Sequence, residues 1–391
     1  MSVGRILLCC PRKPEIHSKG DAHRAFQTMT ALESLGYSVD LLYPEKSDST
    51  SNEFHASRPS FGEMFFSVLR AAVSPDRSFQ EGIFVGKNCK KVFLKCIFET
   101  SYDAIILVTF RLVELLRTAI KSQIATPIIF DLVDAFSLNY QRIAQNSKKS
   151  FAKLAYSVEG KRIRKIEKMV AQKSSKTLFV SLKDARFLKM KNSFVVPLNV
   201  NFDYREEKSL SEKKDDLKVV FHGNLSYKPN EEAAFFIVNE LAPKLEKLDS
   251  SLSFHFVGRG GRKILISAID KSKNCHFIGE VSDIMNEVSK YDISICPTKS
   301  GAGTQNKILE SVSLKIPVIA SDESASGTYF IPSKEILVSR TAEDYINNIL
   351  FLKSPLQRKG IAERAFKKLE RVYSPEVTEK LWRFILHDVT K

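Results

Sequence analysis

Gly301-Ala302-Gly303-Thr304-Gln305-Asn306-Lys307-Ile308-Leu309-Glu310 is the stretch on which the fold reading turns. It follows an apolar run of strand length at residues 292–296 and leads into a segment with helical spacing. Glycines let backbone approach a ligand closely, and the open start of a helix offers N–H groups and positive dipole charge to a phosphate. Lys307 and Glu310 stand three apart, so they share one helix face near that start. A cation there neutralises a diphosphate, and a carboxylate there accepts hydrogen bonds from two hydroxyls, as on a ribose. The same residues also describe a simple turn followed by a surface Lys–Glu pair.

Around this stretch the second half alternates strands and helices. Strands are expected at 218–221, 253–257, 275–278, 292–296 and 317–320, the first two closed by Gly223 and Gly258, with a helix at 231–241. The first half repeats the pattern with strands at 4–10, 38–43, 104–108, 128–133 and 177–180. A helix at 22–35 carries Ala22, Phe26, Met29 and Leu32 at helical spacing, and Gly36 suits the left-handed position that ends it. Short apolar strands separated by helices imply parallel pairing through crossovers, an α/β fold. A chain of 391 residues exceeds a single core, so two domains are expected, joined by the polar, charge-dense segment 200–216. Residues 375–389 read as a closing helix with Val377, Leu381, Phe384 and Ile385 on one side.

Composition narrows the class. Hydrophobic residues are 43% and charged residues 27%, the balance of a globular protein. The six cysteines lie mostly in apolar runs without metal-binding spacing, which excludes a disulfide framework and a zinc module and leaves buried free thiols. No ligand cluster stands out among the seven histidines, so neither a metal nor another cofactor is expected. Arg5-Ile6-Leu7-Leu8 is too short for a signal-peptide core and no apolar run is long enough to span a bilayer, so the expected location is cytoplasmic. A net charge of +15 favours anionic partners.

Residues 301–320 resemble the donor-site signature of the GT-B glycosyltransferases of family 4, also called group 1. Phe221-His222-Gly223-Asn224 and its continuation to Asn230 resemble the start of their C-terminal domain, and residues 277–283 resemble their base-holding loop. Residues 19–24 and 131–137 are similar to a bacterial exopolysaccharide sugar-transferase branch. The likeness runs through nearly the whole chain in the expected order.

This resemblance implies two Rossmann-like domains facing across a cleft. Residues 1–200 would form the acceptor domain, completed by 375–391 crossing back, and 217–374 the nucleotide-sugar donor domain. It implies transfer of a sugar from a nucleotide-diphosphate donor to a saccharide or lipid-linked acceptor in polysaccharide biosynthesis, with retention at the anomeric carbon. By position, Glu310 would hold the donor ribose. Lys307 and the amides of Gly303, Thr304 and Gln305, with Gly301 before them, would meet the diphosphate. Backbone around Phe277 would meet the base, and the Gly20 loop would face the reacting sugar. Three positions depart from the family pattern. Ala302 stands where many members carry a first glutamate, Asn224 stands where arginine is frequent, and Lys228 is a shifted counterpart of a usual lysine. Arg259, after Gly258, is either a replacement cation or a solvated surface arginine.

Asp131 and Asp134 fall at the carboxyl end of an expected strand, where parallel sheets place their sites. Asp134 is therefore a candidate catalytic or acceptor-touching group, or else the N-cap of a helix starting near Phe136. Between Arg142 and Lys176 there are eleven Lys/Arg against two Glu, a net of +9, with Phe151, Leu154, Ala155 and Val158 at helical spacing. Residues 61–98 are rich in Phe and Lys/Arg. Together they describe either a surface peripheral to the inner face of an anionic plasma membrane or a solvated helix face over an ordinary core. Two other function classes compete: a sugar-nucleotide epimerase or phosphorylase on the same fold, and a basic nucleic-acid-binding protein. The second lacks a groove-reading or stacking module.

Overall fold

The computed structural model describes residues 3–15, 20–44, 52–147, 149–200, 216–299 and 303–390. Gly301, Ala302, Lys19 and most of the expected linker lie outside the described residues. The chain divides into two units, Met1–Asn199 with Pro375–Lys391, and Val200–Ser374.

The first unit is a seven-stranded sheet in the order β3-β2-β1-β4-β5-β6-β7. Its strands are β1 (Gly4–Cys9), β2 (Tyr37–Pro44), β3 (Glu53–Ala56), β4 (Ala104–Val108), β5 (Ile128–Val133), β6 (Lys176–Phe179) and β7 (Ser193–Val195). Every pairing is parallel. β4 is buried along its whole length because helices cover both faces, which is why it reads as an uninterrupted apolar run. Leu7, Cys9, Ile105, Leu107 and Phe130 face one core, and Ile6, Leu8, Ile106, Val108 and Ile129 the other. Gly36 takes φ +88 directly after the helix Gly20–Ser34, the left-handed stop its sequence requires.

The second unit is a six-stranded parallel sheet in the order β10-β9-β8-β11-β12-β13. Its strands are β8 (Leu217–His222), β9 (Leu252–Val257), β10 (Cys275–Gly279), β11 (Ile293–Cys296), β12 (Val318–Ser321) and β13 (Leu337–Ser339). Strand order reverses between β1 and β4 in the first unit and between β8 and β11 in the second. At such a reversal successive crossovers leave on opposite faces, and a crevice opens at the carboxyl ends. Both units are thus Rossmann-like, the α/β class expected from the sequence.

β3, β7 and β13 escape the sequence reading because each is a short strand at or near a sheet edge, with little apolar pattern. The helix Pro375–Thr390 packs in the first unit, with Ile385 and Leu381 on the core as expected, but Phe384 is not part of the buried stripe. Thr378, Trp382, Ile385 and Leu386 are buried, whereas Phe384 is mostly exposed and meets Phe194 at a ring distance of 6.0 Å. The bulky Trp382 sets the register by entering the core beside Ile385 and Leu386. Replacing Trp382 by Ala should therefore cost about 3–5 kcal/mol by emptying a core site. The expected readout is a lower urea midpoint for the first unit; an unchanged midpoint would show that this helix does not hold the core.

Candidate active site

In the second unit the reversal point is built from glycines and one buried cation. β8 ends at His222, and Gly223 follows with φ +133, a conformation in which a side chain is strained. A Cβ there would also lie 3.4 Å from Lys307 Nζ. Gly258, with φ +132, follows β9, and a Cβ on it would run into the Gly223 carbonyl. Gly258 N donates to the carbonyl of Gly279, the last residue of β10, at 2.7 Å. Three adjacent strands therefore end in bare backbone.

Lys307 sits on the helix Asn306–Ser313, whose N-cap Gln305 makes no side-chain cap bond. That start keeps the positive end of the dipole available. Lys307 is 7% exposed. Its Nζ donates to Asn230 Oδ1 at 2.8 Å and lies 4.4 Å from the centre of the Phe221 ring. Burial lowers its pKa, and the neighbouring Cys296 and Glu310 act against that shift. Three residues on, Glu310 Oε2 accepts from His222 Nε2 at 3.0 Å, with the carboxylate about one-third exposed. An ionised carboxylate only accepts, so the proton belongs on Nε2. His222 Nδ1 is buried without a hydrogen-bond partner among the described residues.

The site residues expected from the sequence thus divide. Gly223, Lys307 and Glu310 are brought together, and the surface Lys–Glu pair is overturned, because Lys307 points inward to Asn230. Gly303 takes φ +71 and packs its carbonyl where a Cβ on Gly327 would stand. Thr304 Oγ1 donates to the Gly327 carbonyl at 2.7 Å, so this hydroxyl shapes the loop. Phe277 is half-buried on β10. Lys228 and Arg259 are exposed, and Lys228 lies 3.8 Å from Glu232. Asn224 Oδ1 accepts from Ser226 N at 3.0 Å, closing a turn, and its carbonyl accepts from Asn230 Nδ2 at 2.9 Å. His222 and Asn230 were missed as partners of Glu310 and Lys307. Their signal was position: one is the last strand residue before Gly223, the other lies in the first turn of the following helix, Lys228–Phe236.

In the first unit the carboxyl end of β5 is strained. Val133, a β-branched residue, has φ +67, and Asp134 N donates to the Leu132 carbonyl at 2.8 Å across it. Such a three-residue turn stores about 1–3 kcal/mol. Asp131 holds it, accepting from Val133 N at 3.0 Å and from the fully buried Arg24 Nε at 2.7 Å. Asp134 is not a helix cap: Ala135 occupies the N-cap position of Phe136–Asn146 and no side chain caps it. Asp134 keeps a small surface, yet its carboxyl is enclosed. Burial first, then Asp184 and Asp131, push it up to about 8, against the opposing pull of Arg24 and Arg111. Arg111 Nη1 reaches Asp21 Oδ2 at 2.5 Å, and Arg12 meets the same oxygen. Both guanidinium groups lie over the Phe84 ring, at 5.3 Å for Arg12 and 5.0 Å for Arg111. Gly20 opens its helix with nothing within 4 Å of the place a Cβ would take. Among the described residues no three His, Cys, Asp or Glu side chains gather as a metal site. No described helix is long and apolar enough to cross a membrane.

Residues 216–354 match the family described as glycosyl transferases group 1. No curated protein matches the chain in sequence. Among solved structures the chain is similar to HepE of Anabaena, crystallised in complex with UDP, with 14% identity and a TM-score of 0.67 over 98% of this chain and 99% of that one. It is also similar to S. aureus TarM, with 10% identity and a TM-score of 0.71 over 98% and 99%. A glycosyltransferase from Rickettsia africae matches with 16% identity and a TM-score of 0.66 over 99% of each chain. At these identities the likeness carries the fold, which is GT-B. The group 1 domain match makes the chain a glycosyltransferase.

The raised Asp134 carboxyl has a pH signature. Unfolded, it ionises near 3.8; folded, near 8. Between those values the folded chain holds the extra proton, so stability falls as pH rises through the window and levels off above about 8. Asp134→Asn should flatten that slope. Urea midpoints at pH 5, 7 and 9 for both proteins would test it, and parallel slopes would show that Asp134 is already ionised.

Proposed function

We propose that the chain moves a sugar from a nucleotide-diphosphate donor to a saccharide or lipid-linked acceptor in polysaccharide assembly, as a family 4 enzyme of the exopolysaccharide branch. In this reading the second unit, with boundaries near 217–374, holds the donor. Residues 1–200 with 375–391 hold the acceptor, on the cytoplasmic side of a membrane. The single observation that carries it is the buried Lys307 beneath Gly223, at an uncapped helix start and three residues from Glu310.

The chemistry follows from that placement. The glycosidic carbon departs from a diphosphate, so negative charge grows on the leaving oxygens as the bond breaks. An ammonium held out of water and already oriented by Asn230 stabilises that charge without reorganising. The glycine-ended strands let the diphosphate reach it. Glu310, steadied by His222, accepts the ribose hydroxyls. Because positive charge comes from lysine and helix dipole, no metal is needed. Asp134, protonated near neutral pH, is the first unit's candidate to donate a hydrogen bond to donor sugar or acceptor. Retention at the anomeric carbon is taken from the family resemblance.

The test is calorimetry with UDP, the nucleotide bound by HepE, alongside GDP and ADP, followed by release of labelled sugar from the matching nucleotide sugar. Lys307→Ala should lower kcat by about 10²–10³ while the nucleotide Kd changes less, since the charge matters most in the transition state. A change confined to KM would remove Lys307 from the chemistry. Glu310→Ala should weaken nucleotide binding by tenfold or more with the fold intact, and unchanged affinity would refute the ribose role. Turnover should persist in excess EDTA; loss that manganese or magnesium restores would refute the metal-free mechanism.

A further inference from the structure

The helix Phe61–Val73 is built inside out for water. Its inner side is mostly small and polar, with Met64 half-buried beside Glu63 and Ser67. Glu63 accepts from Ser60 N and Lys87 N, each at 2.8 Å. Ser67 closes onto Gly82, where a Cβ would collide with it, and the only fully buried residue is Ala71. The outer side carries Phe61, Phe65, Phe66, Leu69 and Val73, with Phe61 83% and Val73 85% exposed, and the single base Arg70. A surface helix in water presents the reverse arrangement.

The helix Ser150–Lys173 sorts its charges in the same sense. Its two acids turn inward. Glu159 accepts from Ser78 Oγ at 2.6 Å and Phe79 N at 2.8 Å, and Glu167 accepts from Ser137 N at 3.1 Å. Lys149 just before it, and Lys153, Lys161, Arg164, Lys165 and Lys168 along it, are exposed. So are Phe151, Leu154 and Val158, which therefore do not form the core stripe of a solvated helix. The bonds from Glu159 to Ser78 and Phe79 tie the segment following the apolar helix to the basic one, and Arg162 lies 5.4 Å from the Phe79 ring. Acids face in while phenylalanines and bases face out.

We propose that this surface seats on an anionic phospholipid bilayer, with Phe61–Val73 in the interfacial plane and the bases of Ser150–Lys173 on the headgroups. Apolar insertion together with unopposed positive charge suits a lipid surface that is oily below and negative above. A second copy of the chain would set like charges against each other. The inference deepens the lipid-side reading of the first unit and rests on it for the acceptor, but the attachment itself is independent of sugar transfer.

The chain has one tryptophan, Trp382, which is fully buried, so Phe65→Trp places a reporter on the helix. Its emission should shift to the blue with phosphatidylcholine vesicles containing phosphatidylglycerol, and not with phosphatidylcholine alone. Co-sedimentation should weaken as salt rises. Phe61→Ser, Phe65→Ser and Phe66→Ser together should lower partitioning at least tenfold while UDP binding is kept. Lys149→Gln, Lys153→Gln, Lys161→Gln and Arg164→Gln together should remove most of the salt dependence. No blue shift with anionic vesicles, or a dimer in gel filtration that the serine variant turns into a monomer, would overturn the proposal. Vesicle binding without affinity for any nucleotide would support it while refuting the transferase site.

Discussion

Both sheets are wholly parallel, and the rest of the chain is arranged around that constraint. A parallel strand cannot return through a tight turn, so each is followed by a crossover, and the crossovers cover both faces. Where strand order reverses, between β1 and β4 and between β8 and β11, no crossover covers the carboxyl ends. Each unit thus has one such place at its strand ends. In the second unit Gly223, Lys307 and Glu310 occupy one; in the first, Asp21 and Arg111 occupy the other, with Asp131 on the neighbouring strand β5, Asp134 just past its end and Arg24 reaching Asp131 from the helix Gly20–Ser34.

The two places solve the problem of buried charge differently. Arg24 and Asp131 are both fully buried and neutralise each other, which leaves Asp134 facing further carboxylates and holding its proton. The result is a hydrogen-bonding surface suited to hydroxyls. Lys307 instead has an amide and an aromatic face as its closest partners, so its charge is only partly satisfied. A desolvated cation of that kind draws an anion. One fold repeated twice thus carries a neutralised ion pair beside a raised carboxyl in one unit and a lone buried cation in the other, and the difference lies in a few side chains at strand ends.

Much of this was legible in the sequence. β1, β4 and β5 were visible as apolar runs, and the glycines after β8 and β9 marked the ends where a ligand can approach. Lys307 and Glu310 were legible because helical spacing places them on one face. Their partners were not: His222 and Asn230 reach them only after β8 and β11 pair, at a sequence separation of 74, which no local pattern encodes. Of the two readings open for Asp134, the cap fails because the helix begins at Phe136, as expected, with Ala135 in the N-cap position. The phenylalanines of Phe61–Val73 were visible as composition, but only packing shows that they face away from the core.

The return of Pro375–Thr390 to the first unit has a consequence for how the protein is made. The face lined by Ile6, Leu8, Ile106 and Val108 is covered partly by Ala25, Ala31 and Leu32 of the helix Gly20–Ser34 and partly by Trp382, Ile385 and Leu386 from beyond the second unit, so it lacks the second part of its cover while the whole second unit is being synthesised. At about 5–20 residues per second that interval is about 10–40 s, far longer than hydrophobic collapse. The second unit, contiguous from Val200 to Ser374, has all its residues before the first unit does. On the ribosome the order of completion is therefore the reverse of the order of translation, and the nascent first unit spends that interval with the part of its apolar sheet face beside the helix Gly20–Ser34 open to chaperones.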